Sequence, residues 1–241
     1  MTDDDRRRVL AALPSEIERT SPPEGDQHRL PKERARETLD EFFRRTGRSV
    51  YLGSELPVYY PDEPVFAPDL IAVLDVPTHP RDHWMVSAEK RGIDFALEIH
   101  VAGDRTKDFE RNVERYARLG ISEYFVFEPP RGRLLGYRLS PSTRSYQVVV
   151  PQRGLWRSEV LGLDLALDAG ALRFFHGSAA LLDARGLIDQ LSGMVDHAVR
   201  RAEEGARRAE QEAQRAEQAE ARADRLAARL RALGEDPDAG D

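Results

Sequence analysis

The feature that most constrains the fold is a change of hydrophobic period within residues 65–128. Leu70 to Leu74 form a short continuous apolar run, and Phe95, Ala96 and Leu97 begin a second that continues through Ile99 and Val101. Runs of that length suit buried strands. From Asp108 to Leu119 the period becomes helical: Phe109, Val113, Tyr116 and Leu119 recur at spacings of four and three, and Gly120 supplies a stop. Tyr124 to Phe127 then returns as a strand. A helix crossing between two buried strands is a βαβ unit, so the expected class is α/β with a mixed sheet.

Acids stand at the ends of these runs. Asp69 follows Pro68 at the head of the first, and Glu98 closes the second. Two carboxylates on neighbouring strands can hold a divalent metal through hard oxygen ligands. Taken without further context, a Pro-Asp step is more often a turn and a strand-end glutamate more often a solvated charge.

The flanking segments read as support. Residues 1–26 are expected to be a flexible leader, and residues 27–191 the globular domain. PKERARETLDEFFRRTG, with a proline near its start, Leu39, Phe42 and Phe43 on one side and Gly47 after its end, is an amphipathic helix. VYLGSEL and VYY lead as a strand or hairpin arm into the Asp69 strand. The stretch from Pro77 to Arg91 reads as a loop anchored by Trp84, whose prolines disfavour a helical metal pair of His79 and His83. After Glu128, LLGYRLS, SYQVVV and LWRSEVLGLDLALD show short or alternating apolar patterns of an antiparallel extension, followed by a strand pair at 171–176 and 181–182.

Residues 192–233 shift to Ala, Arg, Glu and Gln and read as one charged helix, with residues 234–241 as a disordered tail. Alanines at 202, 206, 209, 213 and 216 alternate spacings of four and three, which is heptad spacing. The alternatives are a coiled coil and a solvated single helix. A seam of alanine buries little area, so a coil built on it alone is weak.

Composition narrows the chemistry. The chain has 241 residues and no cysteine, which removes disulfides, thiolate metal sites and cysteine nucleophiles. Its net charge of −7 argues against a general nucleic-acid coat, though not against a local basic groove. No segment approaches the roughly 18–20 apolar residues of a membrane span, and the N-terminus is no ordinary signal peptide, so a cytoplasmic location is expected. The lysines are Lys32, Lys90 and Lys107. Glycine-rich phosphate loops, GxSxG and HExxH are absent from the sequence.

PDLIAVL, DFALEIH, the Asp108 to Tyr116 helix and ARLGISEYFVFEP, in that order and spacing, resemble the Uma2 family, also called DUF820. LLGYRLS, YQVV, SEVLGLDLAL and LRALGEDPD extend the likeness over roughly residues 25–235. The resemblance implies a PD-(D/E)xK nuclease core, in which a mixed sheet flanked by helices binds Mg²⁺, or Mn²⁺ in its place. It implies that Asp69 and Glu98 are the metal ligands and that DNA is the substrate. Cleavage of both strands suggests a homodimer, through the globular domain or the C-terminal helix.

The sequence departs from the pattern at the lysine. His100 stands two residues after Glu98, where the generic motif has lysine, and Asn112 occupies the helix position where relatives carry one. His100 can act as a general base or sit as a satisfied core histidine. Asn112 can orient a water or phosphate without supplying charge. Arg105 and Lys107 can reach the site if their loop folds back. Asp108 is expected chiefly to cap its helix, and Tyr116 and Tyr124 to be core aromatics with wet hydroxyls. The alternative to an endonuclease is a weakened nuclease-fold scaffold that binds nucleic acid or a protein.

Overall fold

A computed structural model describes Arg8, Ala12, Pro14 and residues 25–233. The expected leader lies outside the described residues apart from Arg8, Ala12, Pro14, Gly25 and Asp26, and so does the expected tail. Two compact units divide the chain, Met1–Ala184 and Arg185–Asp241.

Among the described residues, the first named element of the first unit is α1 (Asp26–Thr46), which starts four residues before Leu30 and carries Pro31 in its second turn. As the sixth residue Pro31 lies past the first four N–H groups, so it removes the donor that would meet the Gln27 carbonyl, a local cost within the first two turns. Gly47 ends α1 at φ 67°, a left-handed position that costs glycine little. The next elements are β1 (Val50–Gly53), β2 (Val58–Tyr59), β3 (Leu70–Leu74), β4 (Trp84–Met85), α2 (Val86–Glu89) and β5 (Phe95–Ile99). The stretch expected as a loop therefore contains a short strand and one helical turn. Trp84 is fully buried as expected, and its indole N–H donates to the Arg91 carbonyl at 2.9 Å.

A π-helical turn (Lys107–Arg111) runs directly into α3 (Asn112–Leu119), and Gly120 stops it at φ 80°. Then come β6 (Glu123–Glu128), β7 (Arg133–Leu139), β8 (Tyr146–Val148), β9 (Leu155–Ser158), β10 (Leu163–Asp168), β11 (Ala171–His176) and β12 (Ala179–Ala180). The last pair closes at Ala179–Ala180 rather than at Leu181-Leu182, with the Leu181 N–H continuing to the Phe174 carbonyl at 2.8 Å.

The main sheet is mixed, in the order β1-β3-β5-β6-β7-β8. Only β5 and β6 are parallel, with the π-helical turn and α3 connecting them, so the βαβ unit expected from the period change is present. Alternation divides the central strands between two cores. Phe95, Leu97 and Ile99 face Leu39 and Phe43 of α1 and Leu163, Leu165 and Phe174 of the antiparallel β9–β12 sheet. Ala96 and Val126 face Trp84, Ile93 and Tyr116 on the α3 side. Burying one large apolar side chain contributes roughly 1.5–3 kcal/mol, which is how a sheet covered on both faces holds polar groups at its strand ends.

The second unit contains most of α4 (Ala184–Ala232), a 49-residue helix that begins before residue 192.

Candidate functional site

Antiparallel pairing of β3 with β5 sets Leu70 opposite Leu97. Continued by one residue, that register puts Asp69 beside Glu98, and the Ile99 N–H donates to Asp69 Oδ2 at 2.6 Å. Both carboxylates are buried, with 8% of Asp69 and 4% of Glu98 exposed. Glu98 lies on the α3 face of the sheet, where the Tyr116 hydroxyl donates to its Oε1 at 2.9 Å and Asn112 Nδ2 lies 3.4 Å from the same oxygen.

Asn112 also lies 3.3 Å from Asp108 Oδ1, so it bridges two acids. Asp108 makes no side-chain cap at its helix start, contrary to the expected role. Its Oδ2 instead meets His100 Nδ1 at 2.8 Å, while its main-chain carbonyl accepts the Tyr124 hydroxyl at 2.9 Å. The wet hydroxyls expected of Tyr116 and Tyr124 are also corrected, since both are buried and bonded within this network. His100 is buried against the edge of the Phe109 ring.

The N-terminal side adds residues that no local motif announced. One ligand atom from each of His28, Glu55 and Asp69 lies within 4.8 Å of the others. His28 Nε2 is 3.2 Å from Asp69 Oδ2, and the buried Lys32 pairs with Glu55. The only sequence signal was indirect. Glu55 follows Gly53-Ser54 and adopts φ 51°, an unfavourable angle for a residue with a side chain. Its N–H is held by the carbonyls of Pro68 and Asp69 at 3.1 and 3.3 Å. His79 and His83 join no metal-ligating group among the described residues.

The Uma2 family model, described as "Putative restriction endonuclease", matches residues 10–170. The chain belongs to the Uma2 family. A solved structure described as "a putative nuclease belonging to DUF820", from Anabaena variabilis ATCC 29413, is 15% identical, with a TM-score of 0.49 over 64% of this chain and 85% of that one. No curated protein matches.

Electrostatics in this Uma2 chain centre on Glu98. Burial, then the neighbouring charge of Asp69, pushes its carboxyl well above the usual range, while Lys107 opposes that rise. Lys107 has its Nζ 3.6 Å from Asp108 Oδ1, and the charge of Glu98 is the main cause that raises its own pKa. Tyr116 is pushed up by burial first and by Glu98 second. Three acids and one half-exposed ammonium therefore share one electrostatic neighbourhood.

A groove of about 640 Å³ runs past the other side of the cluster, lined in part by Lys32, Glu55, Arg29, Arg36 and Arg81. Its four Arg and Lys residues are matched by Glu33, Glu37, Asp40 and Glu55. It is therefore not a strongly positive channel. Among the described residues, no helix is long and apolar enough to cross a membrane.

Proposed function

We propose that the protein is a divalent-metal-dependent nuclease that hydrolyses phosphodiester bonds of DNA. The observation that carries this reading is the burial of Asp69 and Glu98 at adjoining strand ends, with His28 and Glu55 converging on Asp69. Buried carboxylates are costly when ionised unless a cation balances them. Carboxylate oxygens with one imidazole suit Mg²⁺ or Mn²⁺, so the donor set fits such an ion. Asp69 and Glu98 would hold it, with Glu55 and His28 as further donors. The ion would supply positive charge toward a phosphoryl oxygen and acidify water.

The chain's own residues supply the rest. His100, oriented by Asp108, accepts a proton as general base. Asn112 fixes Glu98 and Asp108 relative to each other. Lys107 brings the positive charge that neither His100 nor Asn112 carries at a lysine's position, and its half-exposed side chain leaves the ammonium accessible to a phosphate. A homodimer would bring two such sites to one duplex.

A second reading, a binding scaffold without turnover, draws on Asn112 and on the balanced charge of the groove. Purified protein incubated with plasmid DNA and Mg²⁺ or Mn²⁺, beside Asp69→Ala, separates the two. Cleavage by the wild type and none by the variant supports the nuclease. Retention of DNA without cleavage under either ion supports the scaffold.

A further inference from the structure

Beside His100, the main sheet carries a cluster of arginines to which the nuclease reading gives no role. The parallel strands β5 and β6 end together: Ile99 stands opposite Phe127, and the His100 N–H donates to the Phe127 carbonyl at 2.8 Å. Glu128 is the next residue of β6, and the antiparallel β7 sets Arg133 opposite it. Glu128 and Arg133 therefore lie at the same end of the sheet as His100.

Glu128 is buried and gathers guanidinium groups around itself. Arg131, from the turn Pro129–Arg131, donates to its Oε1, and Arg105 Nε lies 3.6 Å from the same oxygen. Burial would raise the Glu128 carboxyl, but Arg131 and Arg105 outweigh that and hold it below the usual carboxylate range. It is thus an ionised anchor, unlike Glu98. The Arg105 guanidinium also sits over the Phe109 ring, 4.1 Å from its centroid, and that of Arg133 lies 6.0 Å from the same centroid. Phe109 in turn meets the His100 imidazole, with ring centroids 5.4 Å apart.

The surface charge here is unbalanced. Within residues 104–111 and 128–133 the exposed or half-exposed cations are Arg105, Lys107, Arg111, Arg131 and Arg133. The exposed acids of those segments are Asp104, which pairs with Arg111, and Glu110, because Asp108 and Glu128 are buried. The groove on the other side of the cluster has no such excess. A solvated arginine needs no buried acid to hold it, and burying an ionised carboxylate is costly. Fixing two guanidiniums on Glu128, with a third against Phe109, accounts for that cost when all three serve one ligand.

We propose that Arg105, Arg131 and Arg133, preset by Glu128 and Phe109, form a subsite for the phosphate backbone of DNA beside the bond to be cut. The inference rests on the nuclease reading and extends it to where the substrate's strand lies. A guanidinium presents a planar fork of N–H donors that matches phosphate oxygens, and Glu128 Oε1 occupies only a few of the donors on Arg105 and Arg131. Groups already held in place lose little freedom on binding. Contacts to phosphate carry no base information, so this subsite contributes affinity and register rather than sequence preference.

The test uses the full-length protein and a fluorescently labelled DNA duplex, in EDTA and again with Ca²⁺ as a hard cation for the oxygen ligands. Anisotropy over a salt series gives affinity and its salt dependence. Arg105→Gln and Arg133→Gln should each weaken binding several-fold on any duplex sequence and lower the slope of log K against log salt by about 0.9. Glu128→Gln should also weaken binding, although it makes the chain more positive, because it releases the arginines. Arg45→Gln removes the same charge from α1, about 25 Å along that helix from His28, and should change neither quantity. Heat of Mg²⁺ binding should be unaltered in both arginine variants. Arginine variants that bind as the wild type while plasmid is still cut overturn the subsite and leave the nuclease reading standing. The same holds if Glu128→Gln binds more tightly, if Arg45→Gln loses as much affinity, or if the arginine variants lose Mg²⁺ binding as well. A wild type that holds no duplex in either condition overturns the subsite and the nuclease reading together.

Discussion

The Nδ1 atom of His100 lies 2.8 Å from Oδ2 of Asp108, and both side chains are buried beside Asn112 and Tyr124. The aspartate fixes the ring's orientation, which is what the proposed general-base role of His100 requires. His100→Ala is expected to lower kcat for DNA cleavage by roughly 10²–10⁴-fold with little change in KM. Asp108→Asn should alter the pH profile of kcat while leaving DNA affinity intact. Cleavage by His100→Ala at the wild-type rate would remove the histidine from the chemistry.

Metal dependence should follow the carboxylates. Isothermal titration with Mg²⁺ or Mn²⁺ should show one strong dependence on Asp69 and another on Glu98, with binding lost in Asp69→Ala. Loss of His28 should weaken binding without abolishing it, because Asp69 and Glu55 remain. Undiminished heat in Asp69→Ala would place the ion elsewhere.

Glu98 also predicts how the metal-free fold responds to pH. A carboxyl whose folded pKa lies above its unfolded value of about 4.3 stabilises the fold most below that value. Its contribution is lost as pH rises through the raised folded pKa. Melting in EDTA should therefore show Tm falling as pH rises from about 4.3 to the raised folded pKa. Glu98→Gln should flatten that fall and raise Tm at neutral pH, by about 2–4 °C for each kcal/mol relieved. An unchanged slope in the variant would assign the pH dependence to other groups.

The charge supplied by Lys107 can be moved. Lys107→Met is expected to lower the cleavage rate toward the 10²–10³-fold loss, in order of magnitude, that follows removal of one electrostatic donor. Asn112→Lys places an ammonium between Glu98 and Asp108 and should speed cleavage, including in the Lys107→Met background, but not with Asp69→Ala. Full activity in Lys107→Met together with no effect of Asn112→Lys would show that no lysine is needed.

Packing gives a test independent of function. A Cβ added at Gly136 would lie 2.5 Å from Phe125 Cε1 and 2.9 Å from its Cζ, at the centre of the sheet. Phe125 is fully buried and cannot swing away. Gly136→Ala should cost about 1–3 kcal/mol, read as a lower Tm. An unchanged Tm would mean that the β6–β7 pair can slide apart at that point.

Much of the architecture was legible because it is local. The runs at Leu70 and Phe95 and the helical period after Asp108 each occupy one short window, and they appear as β3, β5 and α3. The pairing register then carries Asp69 to Glu98. His28 and Glu55 were not legible, because they reach Asp69 from a helix and a turn whose positions depend on long-range packing. The role of Asp108 was misread for a related reason. Position at a helix start suggests a cap, whereas the nearby imidazole of His100 offers a buried partner that only the folded sheet brings within reach.

The π-helical turn at Lys107–Arg111 has a consequence for how this site tolerates insertions and deletions. Such a turn accommodates one residue more than an α-helical turn over the same path. Removing a single residue from it would let the helix tighten while α3 kept its seat on the sheet through Tyr116. The upstream segment could keep its path, but Asp108 and Asn112 would stand three residues apart where they now stand four, which moves the Asp108 carboxylate, and Lys107 with it, relative to Asn112 and His100. The spacing of these four residues is thus a property of chain length as much as of residue identity, and a shortened copy could retain every named side chain and still lose their meeting point.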